Sequence, residues 1–286
     1  MAKMQNAVSI ICIWVYLVAR VKSTKAARQL LIEDVMNLEL TGKRAIVTGG
    51  SRGLGFAVAR QLAEEGVDVV IAGRHSDTLM AAATDLAAYS GRRIVPIVAE
   101  AASDASVSAL VAGAVEQLGG VDILINNAAS PGAGSAPSIK DVDTGGMLRD
   151  YDIKIGGYIR AARAVAPIMA NQGWGRIINI GGLAARRAGN YTAAARNAAV
   201  SSITKNLCDE YGPRGVGVLA IHPGFLRTPT AGEKQEARAR QSTILGRLIE
   251  FSEIAWLVAM LVSPRCVAMN GETLKAAGGT PGTIEY

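Results

Sequence analysis

Gly49, Gly53 and Gly55, within Ala45-Ile-Val-Thr-Gly-Gly-Ser-Arg-Gly-Leu-Gly55, have the types and spacing needed to hold a phosphate. Three glycines so placed let the chain turn tightly, let a ligand touch backbone, and let a helix pack closely on the strand before it. A helix starting near Gly53 would turn its free N–H groups and the positive end of its dipole outward, where a dinucleotide's pyrophosphate would sit. Gly49, Ser51, Arg52, Gly53, Leu54 and Gly55 would line that site. The plain alternative is an ordinary glycine-rich turn between a strand and a helix.

The charge beside the loop selects the dinucleotide. A site for NAD places an acid at the end of the second strand to accept from the ribose hydroxyls, whereas a basic residue there accommodates the 2′-phosphate of NADP. Here the strand Val67–Ala72 runs into Gly73-Arg74-His75, with no acid. Arg74, helped by Arg52, can give charge-assisted hydrogen bonds to a phosphate, so NADP(H) is the expected cofactor. Two solvated surface arginines are the alternative. The two histidines, His75 and His222, show no spacing with cysteine that would hold a metal. No nucleophile elbow supports a serine hydrolase.

These residues need a frame. The helix Gly53 to Glu65, closed by Gly66, and the strand Val67–Ala72 complete a βαβ unit. Alternation continues with helix 77–89, strand 93–98, helix 104–118, strand 122–125, a long helix 147–171 bent at Pro167, strand 176–180, helix 192–211, strand 216–221, helix 252–261 and strand 272–275. Such a pattern predicts an α/β fold: a single Rossmann-type doubly wound parallel sheet of about seven strands with helices on both faces. Asn126 and Asn127 would lie at the carboxyl end of the fourth strand, where ligands bind in such sheets, and can also bond backbone between adjacent strands. Residues 130–146 read as a loop over the active site, and the polar, arginine-rich stretch 225–249 as a mobile lid over substrate.

A chain of 286 residues that is 50% hydrophobic can bury a large core. One domain, 38–286, preceded by an N-terminal extension, 1–37, is the simplest division. The formal charge of +6 comes from dispersed basic residues instead of a run, which argues against nucleic acid as a partner. Cys12, Cys208 and Cys266 are too few and scattered for a disulfide framework or a metal cluster, so a reducing, cytoplasmic setting fits. In the extension, the 13-residue apolar run Ala7–Ala19 is followed by Arg20, Lys22, Lys25 and Arg28. That run is short of the roughly 20 apolar residues a spanning helix needs. Residues 7–28 read as a membrane-surface helix favouring acidic lipid, as a segment packed on the domain or on a sister subunit, or as lying before a natural start at Met36.

Several motifs in order carry a family resemblance. Thr48-Gly-Gly-Ser-Arg-Gly-Leu-Gly55 resembles the TGxxxGxG motif of the short-chain dehydrogenases/reductases, and Asn126-Asn-Ala-Ala129 their NNAG motif with alanine in the last place. Pro223-Gly224 resembles their late PG motif, and Gly271 to Gly279 their last strand. The resemblance covers about residues 38–280. It implies that Asn127, Ala128, Pro223 and Gly224 also touch cofactor, that Glu100 stands where an aspartate borders the adenine, and that the protein forms homo-dimers or homo-tetramers.

The family moves a hydride between nicotinamide and a carbonyl or alcohol carbon while a tyrosine hydroxyl exchanges the proton. A lysine four residues on lowers that tyrosine's pKa and binds the nicotinamide ribose, a serine holds the substrate oxygen, and an asparagine carries a water relay. This sequence departs at all four places. In Tyr191-Thr-Ala-Ala-Ala-Arg-Asn-Ala-Ala-Val200, Asn197 stands where the lysine belongs and Ala193 where the tyrosine belongs; Gly182 replaces the serine and Lys154 the asparagine. Tyr191 can supply the proton only if it lies in the turn before the helix, with Lys154 as its cation from the opposite helix and Asn197 bonding the ribose. The resulting reading is an NADP(H)-dependent oxidoreductase acting on a small or medium apolar carbonyl or alcohol, with an atypical proton-donor site and no metal. The alternatives are a catalytically silent NADP(H)-binding homologue serving as sensor or inactive subunit, and a non-redox cyclase, dehydratase or isomerase on the same scaffold.

Overall fold

The computed structural model describes residues 37–130 and 138–282. The chain divides into two units, Met1–Leu38 and Glu39–Tyr286, and the second carries the fold described below. The apolar and basic stretch 7–28 lies outside the described residues, as do residues 131–137 of the loop expected over the active site.

Seven apolar runs form strands: β1 Arg44–Thr48, β2 Asp68–Gly73, β3 Ile94–Val98, β4 Ile123–Asn126, β5 Gly175–Ile180, β6 Val216–Pro223 and β7 Thr273–Ala276. They make one wholly parallel sheet in the order β3-β2-β1-β4-β5-β6-β7, the strand order changing direction between β1 and β4. The helices are α1 Gly53–Glu64, α2 Ser76–Ser90, α3 Asp104–Leu118, α4 Thr144–Tyr151, α5 Gly157–Gln172, α6 Tyr191–Tyr211, α7 Glu233–Ser242 and α8 Phe251–Leu261.

The central strands read as continuous hydrophobic runs because both sheet faces are covered. On one face Ile46, Val70, Leu124, Ile177 and Val218 pack with Leu110 and Val111 of α3 and with Ala162, Val165, Ala166 and Met169 of α5. Each large aliphatic side chain buried this way contributes roughly 1.5–3 kcal/mol. Elsewhere α1, burying Val58, Ala59 and Leu62, lies against α8, which buries Ile254, Ala255, Val258 and Ala259. Arg44 and Asp122 lock the entries of β1 and β4, with Nε 2.7 Å from Oδ2 and Nη2 2.8 Å from Oδ1.

One expected feature differs. α5 carries Pro167 within its course, and α4 and α5 are joined by a wide π turn, Asp152–Gly156, where one continuous helix was expected. Arg160 stabilises that turn, its guanidinium donating to the Asp152 carbonyl at 3.2 Å and to Asp152 Oδ1 at 2.7 Å. Gly156 makes room for this ion pair, since a Cβ there would come within 2.6 Å of both Arg160 Nη1 and Asp152 Oδ1.

The segment 225–249 contains α7, and its two ends are pinned together: Ile249 N–H donates to the Phe225 carbonyl and Arg227 N–H to that of Ile249, each at 2.8 Å. No helix among the described residues is long and apolar enough to cross a membrane.

Candidate active site

The glycine loop follows β1. Gly49 has φ of +66°, in the left-handed region that a side chain disfavours, and its missing Cβ would also meet the Asn127 amide at 2.9 Å. Gly55 is fixed by packing, because a Cβ there would lie 2.1 Å from the Gly49 carbonyl oxygen. The loop and the first turn of α1 are therefore pressed together. The ladder of α1 begins at Phe56, whose N–H donates to the Arg52 carbonyl at 3.3 Å, and Arg52 gives no side-chain cap. The amides of Gly53, Leu54 and Gly55 are left for an anion.

Thr48 and Asn127 hold this loop to β4. Thr48 Oγ1 accepts from the backbone N–H groups of Asn127 at 2.9 Å and Ala128 at 3.1 Å, while Asn127 Nδ2 donates to the carbonyls of Thr48 at 3.0 Å and Gly49 at 3.2 Å. Asn127 thus bonds backbone between neighbouring strand ends, as its alternative reading required. Ser51 lies against the end of β2, 3.6 Å from where a Gly73 Cβ would be. Arg52 and Arg74 are both exposed, and neither guanidinium has an ion pair or hydrogen bond to another described residue. At the far side Pro223 ends β6, and Gly224 N–H donates to the Ala276 carbonyl at 3.0 Å, its missing Cβ leaving room for Ala277.

The substituted positions do meet. Lys154, carried by the π turn, is 4% exposed; its Nζ donates to Asn197 Oδ1 at 3.0 Å and to the Gly181 carbonyl at 3.3 Å. Asn197 in turn donates to the Ala193 carbonyl at 2.9 Å, so Ala193 and Asn197 stack on one face of α6. Gly182 is beside them, since a Cβ there would be 3.1 Å from Asn197 Nδ2. The lysine of the π turn and the asparagine of α6 are thus in direct contact.

Tyr191 is placed differently. The Asn190 side chain caps α6 by accepting from Ala193 N–H at 2.9 Å, which makes Tyr191 the first helical residue, not part of the preceding turn, and leaves it 49% exposed. Six residues of helix turn it about 120° from Asn197. Its ring therefore does not share the face on which Asn197 meets Lys154.

Groups that gave no local signal complete the cluster. Both oxygens of Asp150 lie 2.6 Å from Arg196 Nη1, and the carboxylate is buried. His222, also buried, accepts at Nδ1 from Gly182 N–H at 2.8 Å, so the proton of the neutral ring is on Nε2, 3.1 Å from Ser201 Oγ. Tyr158 donates to the Ile180 carbonyl at 2.8 Å and is wholly enclosed, so burial pushes its phenol far up and removes it as an acid. Burial, with the Arg196 charge added and Asp150 partly opposing, draws the Lys154 ammonium down to about 7. Burial, followed by the charges of Lys154 and Arg186, draws His222 down to about 4. Asn126 and Asn179 pair at 2.9 Å and Asn179 reaches Thr204 at 2.9 Å, a polar seam across the sheet beneath the site.

Comparison with known proteins gives relatives over nearly all of this framework. The family model described as enoyl-(acyl carrier protein) reductase matches residues 49–280. The short-chain reductase protein NovJ of Streptomyces niveus is 35% identical over 248 residues, 83% of this chain and 93% of that protein. The L-sorbose reductase of Gluconobacter frateurii, solved with NADPH and L-sorbose, superposes with a TM-score of 0.80 at 27% identity, covering 87% of this chain and 100% of that one. A short chain dehydrogenase of Burkholderia cenocepacia, solved with NADP, gives a TM-score of 0.76 at 34% identity, covering 84% and 98%.

Proposed function

The chain belongs to the short-chain dehydrogenase/reductase family, and from that premise we propose that it is an NADP(H)-dependent oxidoreductase acting on a small or medium apolar carbonyl or alcohol through an atypical proton-donor site. One observation supports the reading above the rest: the first amides of α1 are uncapped, and two exposed guanidinium groups, Arg52 just before that helix and Arg74 just after β2, have no partner among the described residues. That combination suits a diphosphate together with a 2′-phosphate. Solved relatives hold NADPH and NADP, which agrees with it.

In this reading the bound cofactor supplies or accepts a hydride at the substrate carbon. Gly49, Ser51, Gly53, Leu54 and Gly55 hold its diphosphate, Asn127 and Ala128 border it at the end of β4, and Pro223-Gly224 close its nicotinamide end. Asn197 bonds the ribose. Lys154 and Asn197 are the polar groups offered to the substrate oxygen, Tyr191 standing off their face at the exposed start of α6, and segment 225–249 acts as the lid. Homo-dimers or homo-tetramers are the assembly the family likeness favours.

A second reading has its own support. Ala193 and Gly182 remove the hydroxyls with which the family donates a proton and holds substrate, as a silent NADP(H)-binding homologue would. Titration of the purified protein with NADPH and NADH, followed by turnover over a panel of aliphatic and aromatic ketones and aldehydes, separates the two. The oxidoreductase reading expects tighter NADPH binding and reduction of at least one class. Binding without turnover transfers the assignment to the silent homologue, and failure to bind either nucleotide overturns both.

A further inference from the structure

We propose that Lys154 is itself the acid that protonates the substrate oxygen, taking the part that the family gives to a tyrosine. The inference rests on the oxidoreductase reading above and deepens it.

Position comes first. The π turn brings Lys154 Nζ to 3.3 Å from the Gly181 carbonyl, next to the place from which a serine at 182 would hold substrate, and to 3.0 Å from Asn197 Oδ1. Ala193, a turn before Asn197 on the same face, leaves the tyrosine's place vacant of a ring. The Tyr191 hydroxyl leaves α6 in another direction, from an exposed first turn.

Hydrogen-bond chemistry comes second. An ammonium has three N–H groups, and two of Lys154's are committed to carbonyl oxygens. After loss of the third proton the neutral amine still has two N–H groups for those same acceptors, and its lone pair occupies the vacated direction. Proton transfer therefore leaves the side chain anchored.

The surrounding charges allow both states. From α4 Asp150 could neutralise the lysine, but both its oxygens are held by Arg196 of α6. From α5 Tyr158 presents a phenol locked in its protonated form. From β6 His222 is neutral above about pH 4, and Arg186 acts on that histidine. Lys154 is thus the member of this cluster that changes charge near neutrality. In reduction, a hydride from the reduced nicotinamide adds to the carbonyl carbon, the C=O π pair moves to oxygen, and a new O–H bond forms as one Lys154 N–H bond breaks. The neutral amine then takes a proton from water. In oxidation the amine accepts the alcohol proton.

Two measurements on the full chain test this. Nitrogen-15 NMR of the lysine side chains, without cofactor, should show one ammonium titrating near pH 7 that is missing in Lys154→Met. Kinetics should show carbonyl reduction falling by about 100-fold or more in Lys154→Met, with NADPH affinity changed little and Tyr191→Phe near the wild-type rate. In the wild type, kcat for reduction should decline as pH rises through about 7, and alcohol oxidation should increase. A lysine that titrates near 10, Lys154→Met at the wild-type rate, or a loss confined to Tyr191→Phe would each overturn the assignment while leaving the oxidoreductase reading intact. Absence of NADPH binding by the wild type would overturn that reading and this inference together; binding without turnover would overturn the acid role. Should Lys154→Met not fold, the wild-type NMR titration and pH profile decide alone.

Discussion

Lys154 Nζ lies 3.0 Å from Asn197 Oδ1, joining the π turn before α5 to α6 across 43 residues of chain, and in the proposed reading the pair inverts the asparagine and lysine of the family. A buried cation beside an amide carbonyl is tolerated because the donor and acceptor match. Two cations at that separation would not be.

That inversion predicts a double-mutant result. Asn197→Lys alone sets a second ammonium against Lys154 and should destabilise the fold by roughly 3–5 kcal/mol, the scale of an uncompensated buried charge. Lys154→Asn with Asn197→Lys should recover most of the loss. Urea unfolding of the four proteins measures the coupling, and an additive result would contradict the contact.

Arg196→Met strands the Asp150 carboxylate in the interior. The expected cost is again about 3–5 kcal/mol. Asp150, freed of its partner, should also attract Lys154, and the repelling guanidinium is gone, so the midpoint of Lys154 should move up from about 7. Thermal melting and the lysine NMR titration check the two halves separately.

Gly55→Ala places a methyl group 2.1 Å from the Gly49 carbonyl oxygen, backbone that cannot swing aside. Overpacking of this kind costs about 1–3 kcal/mol. The loop should open and NADPH binding should weaken by at least tenfold in a fluorescence titration. Unchanged melting and unchanged affinity would show that the loop is looser than it stands.

Arg52→Ala and Arg74→Ala should each weaken NADPH more than NADH. A charge-assisted hydrogen bond is worth about 1.5–3 kcal/mol, or roughly tenfold to a hundredfold in affinity, with the lower end expected at an exposed site. Parallel loss for both nucleotides would remove these residues from the 2′-phosphate.

Stability should rise with pH in two steps. His222 has its midpoint lowered from 6.5 to about 4, so the unfolded chain binds more protons between those values and the folded state gains as pH climbs through them. The contribution is at most about 3 kcal/mol at 1.36 kcal/mol for each pH unit. Lys154 is lowered from 10.5 to about 7, and by the same sign the protein should gain stability again between pH 7 and 10.5. Urea midpoints across pH 4–10 measure both, and Lys154→Met should abolish the upper step while only reducing the lower one, because the Lys154 charge is second to burial in lowering His222.

The sequence by itself determined the strand and helix alternation, the glycine loop with Arg52 in it, Arg74 in place of an acid after β2, and the expectation that four reactive positions differ from the family's. Those features depend on neighbours along the chain: helical and strand periodicity, the absence of a Cβ, and motif order. Tertiary structure alone decided which exchanged residues touch. Lys154 meets Asn197 43 residues away, and Asp150 meets Arg196 at a separation of 46, because the fold sets α4 and the π turn after it beside α6 and no local pattern encodes that distance. It likewise put a π turn at Asp152–Gly156, where Arg160 can occupy the space that Gly156 leaves open. Tyr191 became helical because Asn190 caps the turn. A chain pattern fixes which face a side chain occupies relative to its own element; only the packing of elements fixes what that face meets.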